Sequence, residues 1–271
     1  MFRVRLVLIA TVSVAVLGAL LFQRLEAVGG GTSPANDNAQ RTPVLVELFT
    51  SEGCSDCPPA DALLERLDRS QPVSGAELIV LSEHVDYWND IGWKDPYSSH
   101  EYSERQGAYA GQFGLGSVYT PQMVIDGRFE VVGSDERRAI TTIESAAKTA
   151  KIPVSINSIH LEADNMVTLH IVTGQLPSSV ATGSAEVVLA TADESDVSHV
   201  SRGENAGRTL KHIAVLRGLI RMGTLDRTGE FSRDVRIRID RGNAGNSRVV
   251  AIVQEGPAGR VLGVGWARLS H

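Results

Sequence analysis

Two hydrophobic rhythms divide the chain. Between Pro43 and about Lys151, short apolar runs alternate with stretches whose apolar positions recur every three or four residues. Val44 to Thr50 is β-rich and apolar on both faces except for Glu47, as in a central strand covered on both sides. Ala60, Leu63, Leu64 and Leu67 then fall at helical spacing, with Glu65, Arg66 and Asp68 on the outer side. Glu77 to Ser82 reads as a second buried strand. Ser98 and Glu101 form a capping-box pattern for a helix running towards Gln112. Gln122 to Ile125, the Asp126-Gly127 turn and Phe129 to Val132 predict a β-hairpin. Ser134 is placed to cap a last helix whose apolar face is Ile140, Ile143 and Ala147, with Lys148 and Lys151 near its end.

After Pro153 the period changes to two. Val154 and Ile156, then Val167, Leu169 and Ile171, then Val235, Ile237 and Ile239 alternate with polar residues, and Gly, Asn and Asp turns separate the runs. The expected division is an α/β domain over 43–151 and an all-β, sandwich-like domain over 152–271.

The N-terminus has neither rhythm. Arg3 and Arg5 precede an uncharged, mostly apolar stretch from Leu6 to Phe22. It is longer than the usual export-signal core and shorter than the roughly 20 residues of a membrane span. Residues 1–27 therefore read as a cleaved export signal or a retained anchor, with a buried helix as the third reading. The first two deliver the body outside the cytoplasm, periplasmic or secreted. Residues 28–42 are rich in Gly, Ser, Asn, Asp and Pro towards their start and read as a flexible spacer. Net charge is −6 over 271 residues with no long basic run, so no nucleic-acid partner is expected, and membrane contact is expected only through the N-terminal segment.

The two cysteines of the chain, Cys54 and Cys57, are three residues apart, after a buried strand and at the start of a helix. A thiol there faces unpaired backbone N–H groups and the positive end of the helix dipole, and both favour thiolate. Cys54 is expected to be the more exposed sulfur and to attack; Cys57, in the first turn, would resolve the mixed disulfide. Pro58 and Pro59 suit helix-opening positions. A structural disulfide closing so short a loop would contribute only about 2 kcal/mol. A metal site would need more ligands than the pair and His84 supply. Redox exchange with protein thiols or disulfides is the favoured chemistry, with no cofactor or metal. A copper(I)-handling scaffold using Cys54, Cys57 and His84 is the alternative, since soft thiolates suit that ion.

The order strand, Cys-x-x-Cys at a helix start, strand, helix, then Thr120-Pro121 before a hairpin resembles the thioredoxin superfamily. The resemblance implies a cis Pro121 opposite the cysteines, with the backbone of Thr120 offered to an extended substrate. Val46-Glu47-Leu48-Phe49-Thr50-Ser51-Glu52-Gly53-Cys54, His84-Val85-Asp86-Tyr87-Trp88, Gly92-Trp93-Lys94-Asp95-Pro96, Tyr119-Thr120-Pro121-Gln122 and Arg202-Gly203-Glu204-Asn205 are further similar to an exported, thioredoxin-like bacterial family catalogued as domain of unknown function 1223. That likeness implies fold and export rather than a substrate. Departures from ordinary thioredoxins are Gly53 in place of a tryptophan, Ser55-Asp56 in place of Gly-Pro, no strand-helix unit before Val44, and an insertion from Tyr87 to Ser98.

Several side chains are candidates to support the pair. Asp56 either opposes a neighbouring thiolate, giving a reducing couple, or caps the helix. His84, Asp86 and Trp88 follow the second strand at the end that borders the crevice in open α/β sheets. There His84 is a proton shuttle or a structural histidine, and Trp88, Trp93 and Tyr97 line a partner groove or simply pack. Glu47 in a buried strand needs a partner or a shifted pKa, and accepting the Cys57 proton is one use for it. Arg202 to Arg208 docks the first domain, binds a ligand or is an ordinary turn, while His160, His170, His199 and His212 form no pattern.

Overall fold

The run interrupted by Glu47 is the middle of one large sheet. The computed structural model describes residues 41–239 and 244–269. The proposed signal or anchor over 1–27, and the spacer up to residue 40, lie outside the described residues. Strand β1 (Thr42–Thr50) pairs in parallel with β2 (Ala76–His84) and antiparallel with β3 (Gln122–Ile125), which pairs with β4 (Phe129–Val132). Asp126 and Gly127 both have positive φ, at 53° and 58°, as the tight hairpin between β3 and β4 demands.

Three α-helices are present among the described residues. Helix α1 (Pro58–Ser70) opens on its two prolines and closes on Gln71 in the left-handed region. Helix α2 (His100–Phe113) is capped by Ser99, whose hydroxyl accepts from Glu101 N, and ends at left-handed Gly114. Helix α3 (Glu136–Ala146) is capped by Asp135. Both caps lie one residue beyond the serines expected, because the neighbouring Ser99 and Asp135 offer equally good acceptors. Side-chain alternation along β1 sends Val44, Val46 and Leu48 towards Leu63, Leu64 and Leu67 of α1 and Ile143 of α3. Leu45 and Phe49 point to the other face, the side of α2.

The second half does not form a separate domain. Strands β5 (Val154–Leu161), β6 (Met166–Thr173) and β9 (Ser232–Arg238) make a three-stranded sheet in the order β5-β6-β9. The remaining four, β7 (Ser184–His199), β8 (Thr209–Asp226), β10 (Ser247–Gln254) and β11 (Val261–Leu269), extend the first sheet to eight strands in the order β11-β10-β7-β8-β2-β1-β3-β4. The junction is the parallel pairing of Ser82 with Val215, where β8 covers the free edge of β2. The core crosses it. Leu45, Ile79 and Leu81 pack with Ala190, Leu216, Val250 and Ile252, and Ile213 and Ala214 of β8 join the α1 core. Arg248, 1% exposed, binds both Asp68 at the end of α1 and Glu194 on β7.

The expected α/β thioredoxin-like domain followed by an all-β sandwich is therefore corrected. The chain from Arg41 on is one mostly β unit around a mixed eight-stranded sheet. The reason is edge pairing: β2 would otherwise expose a row of unpaired backbone groups, and β8 supplies their partner.

Candidate functional site

Cys54 and Cys57 form a disulfide, with Cα atoms 5.4 Å apart. Cys57 is the N-cap of α1, and its carbonyl accepts from Ala60 N and Asp61 N. The helix start thus lies beneath the pair, as its sequence position required. The expected exposure of Cys54 is not found: Cys54 is 1% and Cys57 0% exposed.

The Thr120–Pro121 bond is cis. Pro121 packs against the first turn of α1 through Gly133: a Cβ there would lie 2.7 Å from Leu48 Cδ1, 3.0 Å from Pro121 Cβ and 3.2 Å from Ala60 Cβ. Only glycine permits that approach, and Gly133 N also donates to Pro121 O. Trp88 spans the site from the Tyr87–Ser98 insertion. Its Nε1 donates to Thr120 Oγ1 at 2.8 Å, and its Cβ would be 3.1 Å from a Cβ at position 53. A side chain at position 53 would crowd Trp88, so the small Gly53 suits this close approach.

Behind the cysteines lies a buried polar cluster. Glu52, 0% exposed, accepts from Trp93 Nε1 at 2.7 Å and from Ser198 Oγ, and His212 Nε2 lies 3.2 Å from its Oε1. His84 Nδ1 is 2.7 Å from Asp95 Oδ2, which also accepts from Glu52 N. Burial pushes the His84 pKa down, but the Asp95 carboxylate and the nearby Asp61 and Glu52 outweigh it and the net shift is upward. Asp61, one helical turn after Cys57 on the same face of α1, has its pKa raised by burial, against the lowering effect of His212 and His84. Its Oδ2 is 3.8 Å from His212 Nδ1, and the His84 and His212 rings meet edge to face at 4.7 Å. Asp61 Oδ1, His84 Nε2 and His212 Nδ1 have no hydrogen-bond partner among the described residues.

The site is closed by the loop between β7 and β8. Asn205 Nδ2 donates to Glu52 O and Cys54 O, both at 2.9 Å, and Glu204 Oε2 accepts from Ser55 N at 3.0 Å. Of the readings open for Arg202 to Arg208, docking on the first half is the one observed.

Other candidates go elsewhere. Glu47 points to the α2 side, away from α1. Its Oε1 accepts from Arg105 Nε at 2.8 Å and Nη2 at 2.5 Å, and its Oε2 from Tyr109 OH at 2.7 Å. Beside it, Glu83 is held well above the ordinary carboxylate range by burial and by the Glu47 charge. Asp86 turns to α2, where its carboxylate accepts from Ser103 Oγ at 2.5 Å, which lowers its pKa, and meets His100 at 3.1 Å. Asp56 is exposed, and α1 has no side-chain cap bond at its N-cap. Among the described residues, no three His, Cys, Asp or Glu side chains are grouped so as to hold a metal ion.

Sequence reasoning passed over Glu52, Asp61, His212, Glu204 and Asn205 as site residues. Asp61 had a local signal, the four-residue step from Cys57. His212 had none, lying 155 positions from Cys57; Glu204 and Asn205 lie in the Arg202 to Arg208 run open to docking, but nothing in it named the cysteine turn as the target.

A disulfide at a helix start, with buried carboxylates nearby, within a mixed eight-stranded sheet, defines a mostly β protein with a buried cysteine pair. The chain belongs to the family of proteins of unknown function DUF1223, whose model matches residues 45–254. A crystal structure of an Agrobacterium tumefaciens protein is similar at 25% identity, covering 86% of this chain and 99% of that one with a TM-score of 0.65. HBP35 of Porphyromonas gingivalis shares the fold at 14% identity, covering 84% of this chain and 76% of that one, with a TM-score of 0.60. No curated protein matches the chain. Among the described residues, no helix is long and apolar enough to cross a membrane.

Proposed function

We propose that the protein is a thiol–disulfide oxidoreductase acting on protein thiols or disulfides outside the cytoplasm. The observation that carries this reading is the Cys54–Cys57 disulfide on the N-terminus of α1, with cis Pro121 packed on the same helical turn. The apolar N-terminal stretch after Arg3 and Arg5 supports export, and an oxidising compartment preserves such a disulfide.

In the reducing direction, the Cys54 thiolate attacks one sulfur of the partner disulfide and the partner's other sulfur leaves as thiolate. Cys57 loses its proton and attacks Cys54 Sγ, which restores the internal disulfide and frees the partner's second thiol. Asp61 is the acceptor for the Cys57 proton: it lies one helical turn away on the same face of α1, and burial raises its pKa above that of an exposed aspartate, so it takes up a proton more readily. His212 Nδ1 stands 3.8 Å from its Oδ2, and the His84 ring packs on that of His212. Thr120, next to cis Pro121, offers backbone to an extended partner segment. Asp56 and Glu204 add negative charge near Cys54, which favours the disulfide over the thiolate and makes the couple reducing.

The test is equilibration of the purified full chain with glutathione buffers, with and without copper(I). The disulfide is expected to open and re-form with the buffer ratio, and Cys57→Ser is expected to trap a mixed disulfide on Cys54. A disulfide that never exchanges, with tight copper uptake by the reduced chain, would overturn the oxidoreductase in favour of a copper-handling scaffold.

A further inference from the structure

Strand β7 runs beside β10 only as far as Asp193. Beyond it, β7 and β8 continue as a two-stranded arm to the pair His199 and Thr209. The loop at its tip lies on the cysteine turn. Asn205 holds the carbonyls of Glu52 and Cys54, and Glu204 takes the Ser55 N–H. Gly203, at φ +75°, passes so close to the insertion that a Cβ would lie 3.2 Å from Trp93 Cβ. The Ser55 N–H belongs to the turn between the two sulfurs, so it is one of the donors from which a Cys54 thiolate would draw stabilisation.

We propose that Glu204 is a positioning residue for exchange at Cys54–Cys57, and that the arm tip is a redox-linked latch, docked on the disulfide and released from the dithiol. The proposal rests on the thiol-exchange reading above. A disulfide is neutral and tolerates a carboxylate on Ser55 N–H. Reduction by glutathione consumes two of its thiols, releases one glutathione disulfide, and delivers two electrons to Cys54 and Cys57. The Cys54 thiolate then competes with Glu204 for the same donor and is repelled by it, with Asp56 adding to the repulsion. Docking therefore favours the disulfide, and by reciprocity reduction weakens docking by the same factor. Cys54 is 1% exposed with the tip docked, and its carbonyl is held by Asn205, so release also frees the turn that carries the sulfur.

The experiment is amide hydrogen exchange on the full chain, oxidised and reduced, with two variants. Ser55 and residues 200–208 are expected to exchange about fivefold faster or more in the reduced chain, with Leu189 and Ala190 of β7 unchanged. Glu204→Gln keeps an acceptor but removes the charge. It is expected to lower the Cys54 thiol pKa and shift the glutathione equilibrium several-fold, about tenfold at most, towards the dithiol. Asn205→Ala loosens the tip without changing charge and is expected to speed opening of the disulfide by glutathione. Identical exchange in both redox states, or variants indistinguishable from the parent in these readouts, overturns the latch. If glutathione never opens the disulfide but a phosphine-reduced chain shows tip release, thiol exchange fails as a function and the latch stands.

Discussion

Gly133→Ala drives a methyl group into the joint between the cis-proline and the helix that carries the cysteines. The new Cβ would lie 2.7 Å from Leu48 Cδ1, 3.0 Å from Pro121 Cβ and 3.2 Å from Ala60 Cβ. Leu48 is fully buried, the proline ring is rigid and Ala60 is fixed in the helix, so none yields cheaply. Overpacking of this kind costs about 1–3 kcal/mol. Gly133 does not have positive φ, so alanine also recovers about 0.4–1 kcal/mol by restricting the unfolded chain. The net expectation is a loss between about 0 and 2.6 kcal/mol. Gly107→Ala is the companion: Gly107 lies inside α2 with nothing within 4 Å of an added Cβ, so the same chemical change should stabilise by about 0.5–1 kcal/mol. Urea unfolding of the oxidised proteins, followed by far-ultraviolet circular dichroism, should move the two midpoints in opposite directions with similar slopes. Exchange with glutathione should slow in Gly133→Ala alone, since only that change disturbs Pro121. A Gly133→Ala protein stabilised like Gly107→Ala, with glutathione exchange unchanged, would refute the packing of Pro121 on α1.

Arg105→Met leaves the buried Glu47 carboxylate without its cation, and a loss of about 3–5 kcal/mol is expected by urea unfolding at neutral pH; a loss under about 1 kcal/mol would show that Tyr109 suffices as its partner. Glu83→Gln tests the raised pKa of Glu83. The folded chain keeps a proton there that the unfolded chain releases above the ordinary glutamate value, so this contribution to stability is lost as pH rises towards the folded-state value. The glutamine variant should gain on the parent over that rise, and parallel stability–pH curves would show that Glu83 titrates normally.

Local chemistry was legible in the chain. Helix α1 announced itself by two prolines after Cys57 and the spacing of Ala60, Leu63, Leu64 and Leu67; the β3–β4 hairpin announced itself by Asp126-Gly127. These signals act within one turn of backbone, and nothing distant competes with them. The helix caps slipped by one residue because Ser98 and Ser99, and Ser134 and Asp135, are adjacent and equally suited to accept. What a strand edge pairs with was not legible: alternation gives a strand its two faces but not its neighbour, and Ser82 meets Val215 across 133 positions. The same blindness misjudged Cys54. A helix start predicts an open thiol, but Cys54 is buried, and the residues that hold its turn, Glu204 and Asn205, are linked to it by no periodicity. Glu47 was correctly singled out as a buried acid in need of a partner, yet its cation sits on α2, 58 positions away.

The seam between β2 and β8 has a practical corollary for anyone trimming this protein. Cutting after Lys151 would strip Ala190, Leu216 and Val250 from the apolar side chains of Leu45, Ile79 and Leu81. It would bare the outer edge of β2 to any passing strand and leave the Cys54 carbonyl without its amide donor. The fragment bearing both sulfurs is thus half of a folding unit, and a graft or fusion meant to carry its chemistry must bring the distant hairpin along.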